Sequence, residues 1–234
     1  DVIVLGGGPA GYVCAIRCAQ LGLSAAVIER EALGGTCVNW GCIPAKALLE
    51  SAHVANQVRK AAEHGITTGE LGFDYVPAMK RSRAVSQQNS KGVEFLFKKH
   101  KVAWIRGTGT LKAGKRVEVK DAEGKVAVHD AKKAVVIATG SRVKGLPQAG
   151  LTLDGKRILS SDDVLVLERT PKTLAIIGAG AIGCEFADVF NAFGTQVTLI
   201  EVAPRLLPIE DEDVSKELLR VFKKRKIDVR TGAK

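Results

Sequence analysis

The densest chemistry in the sequence lies in GGTCVNWGCIPAKALLE, Gly34 to Glu50, where Cys37 and Cys42 stand with four residues between them and Lys46 follows four positions later. Three chemistries are open to such a pair: a metal knuckle, a structural staple and a redox couple. Zinc needs a second ligand pair at close spacing, and the four histidines, His53, His64, His100 and His129, are dispersed without a ligand pattern. No metal is therefore expected. A staple closing so short a ring removes little freedom from the unfolded chain. The redox reading draws on the flanking residues. Pro44 suits the first turn of a helix, which puts Cys42 at or just before a helix N-terminus. That position favours the thiolate, the form that acts in exchange and electron donation. Lys46 adds positive charge one turn later.

The other three cysteines ask for less. Cys14 and Cys18 are one helical turn apart, and Cys184 directly follows a glycine fingerprint. All three read as small, inert core residues on helices packed against a sheet. Five cysteines, an odd number without secretory context, argue against a disulfide scaffold.

An internal repeat supplies the elements that must position the cysteine loop. DVIVLGGGPAGYVCAIRCAQLGLSAAVIE predicts a buried strand at Val2–Leu5, then Gly6-x-Gly8-x-x-Gly11, a helix stopped by Gly22, and a second strand ending at Glu29. KTLAIIGAGAIGCEFADVFNAFGTQVTLIE repeats the pattern: a strand at Leu174–Ile177, then Gly178, Gly180 and Gly183, a helix stopped by Gly194, and a strand ending at Glu201. The pairs Gly6/Gly178, Gly8/Gly180, Gly11/Gly183, Gly22/Gly194 and Glu29/Glu201 share one offset of 172 positions. Each copy has the strand, helix and distant acid that a dinucleotide fingerprint requires. The first glycine turns off the strand, the second admits a pyrophosphate to the backbone, and the third lets the helix pack on the strand. The helix N-terminus offers unpaired N–H groups to phosphates, and the distal carboxylate can accept ribose hydroxyls. Two such sites point to a flavin and a nicotinamide. A carboxylate at Glu201 repels a 2′-phosphate, which selects NAD over NADP.

The fold class is α/β: two tandem Rossmann-like dinucleotide-binding domains, the second incomplete, with a helical hairpin and a small β-meander inserted in the first. The domains are expected at 1–145 and 146–234. Helices are predicted over 43–64 and 76–99, with HGITTGELGFDY as connector. Residues 102–137 turn to short strands (VAWIRG, GTLKAG, RVEVK, VAVHD) ending in a buried strand, KAVVIATGS, whose small residues Ala138, Thr139 and Gly140 let a cofactor lie close. The Gly-rich and polar run 141–157 links the domains. A last helix is predicted near 210–225, followed by the start of a strand at IDVRTG.

Composition narrows the function classes. In 234 residues, 46% are apolar and 5% aromatic, with 25 glycines, a balance that fits an α/β protein with many tight strand–helix turns. The formal net charge of +10 comes from scattered basic residues, as in VFKKRK (221–226) and LFKKHK (96–101), which read as solvated helix faces. No nucleic-acid motif accompanies them, so no nucleic-acid partner is expected. No apolar run reaches the length of a membrane span, no membrane partner is expected, and the sequence opens on its first fingerprint without a leader pattern.

Taken together, the first fingerprint and its acid, GGTCVNWGCIPAKALL, the ATG strand and IGAGAIGCEFA resemble the flavin-linked disulfide reductases, and within them the dihydrolipoamide dehydrogenase branch. The resemblance spans the whole chain. It implies an oxidoreductase that passes electrons from dihydrolipoamide through a Cys37–Cys42 disulfide and FAD to NAD⁺. Cys37 resembles the interchange thiol and Cys42 the thiol that lies against the flavin. FAD is implied at Gly6, Gly8, Pro9, Ala10, Gly11, Glu29, Gly35, Thr36, Lys46, Gly109 and Ala138 to Gly140. NAD is implied at Gly178, Gly180, Ala181, Ile182, Gly183 and Glu201. Glu185 resembles the glutamate near the nicotinamide and is expected to pair with Lys46. The implied partners are free or protein-bound dihydrolipoamide, a 2-oxoacid dehydrogenase complex or the glycine cleavage system, and a second subunit in a homodimer. The implied setting is the cytoplasm, or the mitochondrial matrix in a eukaryote. The alternatives are another reductase of the family, acting on glutathione, mercuric ion or thioredoxin, and a redox-inert FAD/NAD-binding module. Trp40, inside the cysteine loop, departs from the family pattern without an assigned role. The family's C-terminal interface domain and its His–Glu pair have no counterpart in this sequence, so the chain is expected to be a fragment whose parent is the enzyme.

Overall fold

The computed structural model describes residues 1–233. It builds the first repeat as β1 (Val2–Leu5), α1 (Pro9–Gln20) and β2 (Ala25–Glu29). The cysteine loop becomes a short helix α2 (Gly35–Asn39) and the start of α3 (Cys42–Arg59), and α4 spans Tyr75–Lys99. Short strands follow: β3 (Ala103–Arg106), β4 (Thr108–Lys112), β5 (Arg116–Lys120), β6 (Val126–Asp130) and β7 (Ala134–Ile137). After α5 (Ser161–Val164) comes the second repeat, β8 (Thr173–Ile177), α6 (Ala181–Ala192) and β9 (Gln196–Ile200), then α7 (Glu212–Lys224) and β10 (Asp228–Arg230).

By packing, these elements form two compact units, residues 1–44 with 83–162, and residues 45–82 with 163 onward. In the first, a parallel sheet has the order β3-β2-β1-β7, and β4-β5-β6 form a separate antiparallel meander. Val2, Val4, Ala25 and Val27 pack one face of the parallel sheet on Ala15 of α1 and on Val93 and Phe97 of α4. Ile3, Leu5 and Ile28 pack the other face on Val117 and Val119 of the meander. Period-two alternation thus sends both faces of β1 into apolar surroundings, as a parallel strand covered on two sides requires.

The second unit holds a three-stranded parallel sheet of order β10-β9-β8. Its pairing copies the first: Val2 opposes Ala25, and Leu174 opposes Val197, the same register shifted by 172. Residues 45–82 pack with this unit through an aromatic cluster. The Tyr75 ring lies 5.3 Å from Phe190 and 5.4 Å from Phe193, and Arg59 donates to the Ala192 carbonyl at the end of α6.

The helix predicted over 43–64 ends at Arg59, and a 3₁₀ turn at Ala61–His64 takes its place, closed by Gly65 at φ +72°. The strand expected to be buried at 134–137 is half-exposed, with Ile137 66% accessible. Its apolar composition reads as a central strand, but β7 stands at a sheet edge.

Burial pushes the Tyr75 hydroxyl up to about 12, from an ordinary value near 10. The folded state therefore holds its proton through a pH range in which the unfolded chain releases it. This contribution to stability is complete below pH 10 and is lost as pH rises towards 12. Tyr75→Phe should flatten that part of the alkaline decline while changing stability little at pH 7; denaturant titrations at a series of pH values measure both.

Candidate functional site

Each fingerprint builds a cradle from the same parts. Gly6 and Gly178 turn off their strands at φ +104° and +100°, a left-handed conformation open to glycine. Gly8 and Gly180 cap α1 and α6 with extended backbone and no side-chain hydrogen bond. The first-turn N–H groups of each helix are left without intrahelical partners. A Cβ on Gly11 would lie 1.8 Å from the Gly6 carbonyl oxygen, and one on Gly183 would lie 1.9 Å from that of Gly178. Only hydrogen fits there, and that holds each helix N-terminus against its strand end.

The distal acids are already engaged. Glu29 accepts the N–H of Gly7 at 2.8 Å and of Glu31 at 2.9 Å. Glu201 accepts the N–H of Ala179 at 2.7 Å and of Ala203 at 2.8 Å. These donors are related by the same 172-residue offset, so the repeat extends to hydrogen bonds that the motif does not name. Each carboxylate oxygen takes one backbone N–H and keeps acceptor capacity for a ribose hydroxyl.

The first cradle gathers most of the residues that the sequence singled out. The Gly34 N–H donates to the Gly7 carbonyl at 2.8 Å. A Cβ on Gly35 would stand 2.5 Å from the Gly8 Cα, so the cysteine loop rests directly on the fingerprint. The Ala138 N–H donates to the Leu5 carbonyl, and a Cβ on Gly6 would meet the Ala138 oxygen at 2.1 Å. Ala138 to Gly140 therefore cross the mouth of the cradle. Pro9, Ala10, Thr36, Thr139 and Gly140 are exposed around it. The arrangement fits a dinucleotide: bare backbone, a helix N-terminus and an anchored carboxylate at one sheet edge. Gly109 is explained by packing, since a side chain there would run into Leu5 and Ile28. In the second cradle Gly178 and Gly180 have open space around them, with Ala181 and Ile182 exposed at the start of α6. That backbone likewise fits a pyrophosphate.

Cys37 and Cys42 are joined as a disulfide with Cα atoms 4.6 Å apart. Cys37 lies in α2 and is half-buried; Cys42 opens α3 and is exposed. Lys46 follows one turn along α3, and its ammonium donates to the Glu185 carboxylate. Lys46 is 61% accessible and Glu185 22%, so the pair is held without burying the lysine. Two of the free thiols, Cys184 and Cys14, are held in the less nucleophilic protonated form. Burial, then Glu201 and Glu185, push Cys184 up to about 11. Burial, then Cys18, raise Cys14.

Sequence reasoning missed the supports of the loop. Asn39 is buried and donates to the carbonyls of Leu33 and Gly35, each at 3.1 Å. From α4, Arg83 donates to the Asn39 carbonyl, Ser86 to that of Val38, and Ser90 to that of Leu33. The signal was the spacing of three and four positions in RSRAVSQQNS, which puts three polar side chains on one helix face.

A family model for the pyridine nucleotide-disulphide oxidoreductases matches residues 1–234. The chain belongs to that family. Members similar to it include the dihydrolipoyl dehydrogenase of Chlorobaculum parvum, 44% identical over 234 residues, covering 100% of this chain and 49% of that protein. The mitochondrial dihydrolipoyl dehydrogenase of Pisum sativum is 43% identical over 227 residues, covering 96% and 44%. Among solved structures, LpdA from Mycobacterium tuberculosis superposes with a TM-score of 0.89 at 26% identity, covering 100% of this chain and 51% of that one. The chain spans about half the length of the curated relatives it matches.

The two kinds of glycine separate in a stability test. Gly183→Ala places a methyl on the Gly178 oxygen and should cost at least about 3 kcal/mol. Gly194→Ala has open space and meets only the strain of φ +91°, which costs about 1–2 kcal/mol. Denaturant midpoints of the two variants should differ accordingly.

Proposed function

We propose that the parent protein is an NAD-dependent dihydrolipoyl dehydrogenase, carrying electrons from dihydrolipoamide through the Cys37–Cys42 disulfide and FAD to NAD⁺. The observation that carries this reading is the disulfide itself, in a loop whose backbone lies on the first fingerprint. The names of the 43–44% identical relatives support the dithiol in preference to glutathione, mercuric ion or thioredoxin.

In the proposed step a substrate thiolate attacks Cys37 Sγ. The Cys37–Cys42 bond breaks, a mixed disulfide forms on Cys37, and Cys42 leaves as a thiolate. The second substrate thiol, losing its proton, attacks the substrate sulfur of the mixed disulfide, closes a cyclic disulfide and releases Cys37. The substrate has lost two electrons and two protons, and the protein disulfide has gained two electrons. Cys42 opens α3, so the N-terminal partial charge of that helix stabilises its thiolate, and Lys46 adds a cation on the same helix.

FAD, when bound, supplies a two-electron acceptor for the reduced pair and a hydride donor to NAD⁺. Gly6, Gly8, Pro9, Ala10, Gly11, Glu29, Gly35, Thr36, Lys46 and Ala138 to Gly140 would hold it, within residues 1–145, while Gly109 serves the packing beneath the sheet instead. Gly178, Gly180, Ala181, Ile182, Gly183 and Glu201 hold NAD, within 146–234. Glu185 fixes the Lys46 side chain. The parent works as a homodimer and serves a 2-oxoacid dehydrogenase complex or the glycine cleavage system. It resides in the cytoplasm, or in the mitochondrial matrix in a eukaryote; among the described residues no helix is long and apolar enough to cross a membrane.

A visible spectrum of the full-length parent tests this reading. Flavin absorption should be present, and dihydrolipoamide added without oxygen should produce a long-wavelength band that Cys42→Ser abolishes. Absence of flavin, or an unchanged response in Cys42→Ser, would overturn it. In the same protein, replacing Glu201 with glutamine should raise NADPH affinity relative to NADH at least about tenfold by removing like-charge repulsion with the 2′-phosphate; titrations with both nucleotides read the ratio.

A further inference from the structure

Trp40 stands inside the ring closed by Cys37 and Cys42, and the residue is 38% accessible. The Arg83 guanidinium lies 4.7 Å from the indole centroid. The same guanidinium donates to the Asn39 carbonyl at 2.6 Å. Asn39 is the last residue of α2, so its carbonyl lacks an intrahelical partner. One cation therefore caps α2 and covers one face of the residue that follows it. Ser86 and Ser90 extend the contact to Val38 and Leu33.

None of these contacts involves a sulfur atom. They can hold residues 38–41 in the same shape whether Cys37 and Cys42 are joined or free. That matters most for the free dithiol. A cross-linked loop is already confined, whereas an open one disperses its two thiols unless other contacts hold it. Confinement raises the effective concentration of one thiol at the other and so favours the disulfide.

We propose that Arg83 and Trp40 are a positioning pair that sets the thiol–disulfide equilibrium of Cys37 and Cys42. Arg83 supplies the charge, the bond to Asn39 and the cation–π contact; Trp40 supplies the surface that keeps the ring segment in place. The inference rests on the redox reading of the cysteine pair, but it is read from thiol content instead of turnover.

The test uses the full-length parent equilibrated in dithiothreitol buffers of graded redox composition. In that exchange the Cys37–Cys42 bond breaks, both sulfurs become thiols, and dithiothreitol closes its own disulfide, with two electrons and two protons transferred. Alkylation followed by peptide mass spectrometry counts free Cys37 and Cys42. Arg83→Gln and Trp40→Val should each shift the equilibrium about tenfold toward the dithiol, equivalent to about 30 mV for two electrons. Their combination should add little, because both remove one interaction. Trp40→Phe, which keeps an aromatic face, should stay within about twofold of wild type. Circular dichroism identifies a variant that fails to fold, and Arg83→Lys then replaces Arg83→Gln, with a partial shift expected because a lysine keeps the charge without the planar fork.

Wild-type equilibria in Trp40→Val and in the folded Arg83 variant would overturn the proposal. So would an equal shift in Trp40→Phe and Trp40→Val, since a retained aromatic face for Arg83 would then make no difference. Failure of the redox reading is distinguishable: Cys42→Ser would leave the flavin response to dihydrolipoamide intact, whatever the Arg83 and Trp40 variants do to the thiol count.

Discussion

The contact on which both nucleotide cradles depend is an approach too close for any side chain, the Cα of the third glycine against the carbonyl of the first. With Gly11 against Gly6 and Gly183 against Gly178, a hydrogen is the largest group that fits. Everything chemical follows from that closeness. It sets the helix N-terminus at the strand end, where its unpaired N–H groups and partial charge are useful to a phosphate. It also sets the chain direction for the second strand, which ends at an acid able to reach back to the turn. Glu29 and Glu201 both do so, each accepting a backbone N–H from the turn and another from two residues beyond itself. The acid holds the turn while it waits for a ligand.

The two cradles then diverge. The first is built upon: the cysteine loop lies on Gly8, and Ala138 crosses Gly6. The glycine pair Gly34 and Gly35 makes this approach feasible, because both adopt positive φ and Gly35 packs backbone on backbone. A Cβ placed on the corresponding glycine, Gly178, would meet nothing within 4 Å. One motif thus serves two surroundings, and the added chain segments, not the motif, bring the disulfide-bearing loop onto the first cradle.

How much of this was legible follows from the range of each interaction. The repeat was legible because it is local: strand, turn, helix and acid fall within thirty residues and recur at one offset. The strand register and the doubly anchored carboxylates follow from it. The start of α3 at Cys42 was legible through Pro44. What escaped depends on segments distant in sequence. The exposure of β7 follows from its edge place in a sheet whose order no local pattern contains. Arg83 and Ser86 meet α2, and Ser90 meets Leu33 just before it, across 44 to 57 residues. On a helix surface their polarity reads as ordinary solvation, and only the pairing with α2 carbonyls gives it meaning.

That pairing also explains why so short a helix as α2 persists. Five residues form barely one turn, and a helix of that length gains little from its own hydrogen bonds. Its carbonyls need partners from elsewhere, and α4 supplies them. Arg83 also brings positive charge to the carboxyl end of α2, where the helix dipole is negative. Asn39 closes the other side by donating back to Leu33 and Gly35. The segment bearing Cys37 is therefore shaped by long-range polar contacts, while the segment bearing Cys42 is shaped by its own helix. A disulfide between an externally held residue and an intrinsically helical one can open without either end losing its support.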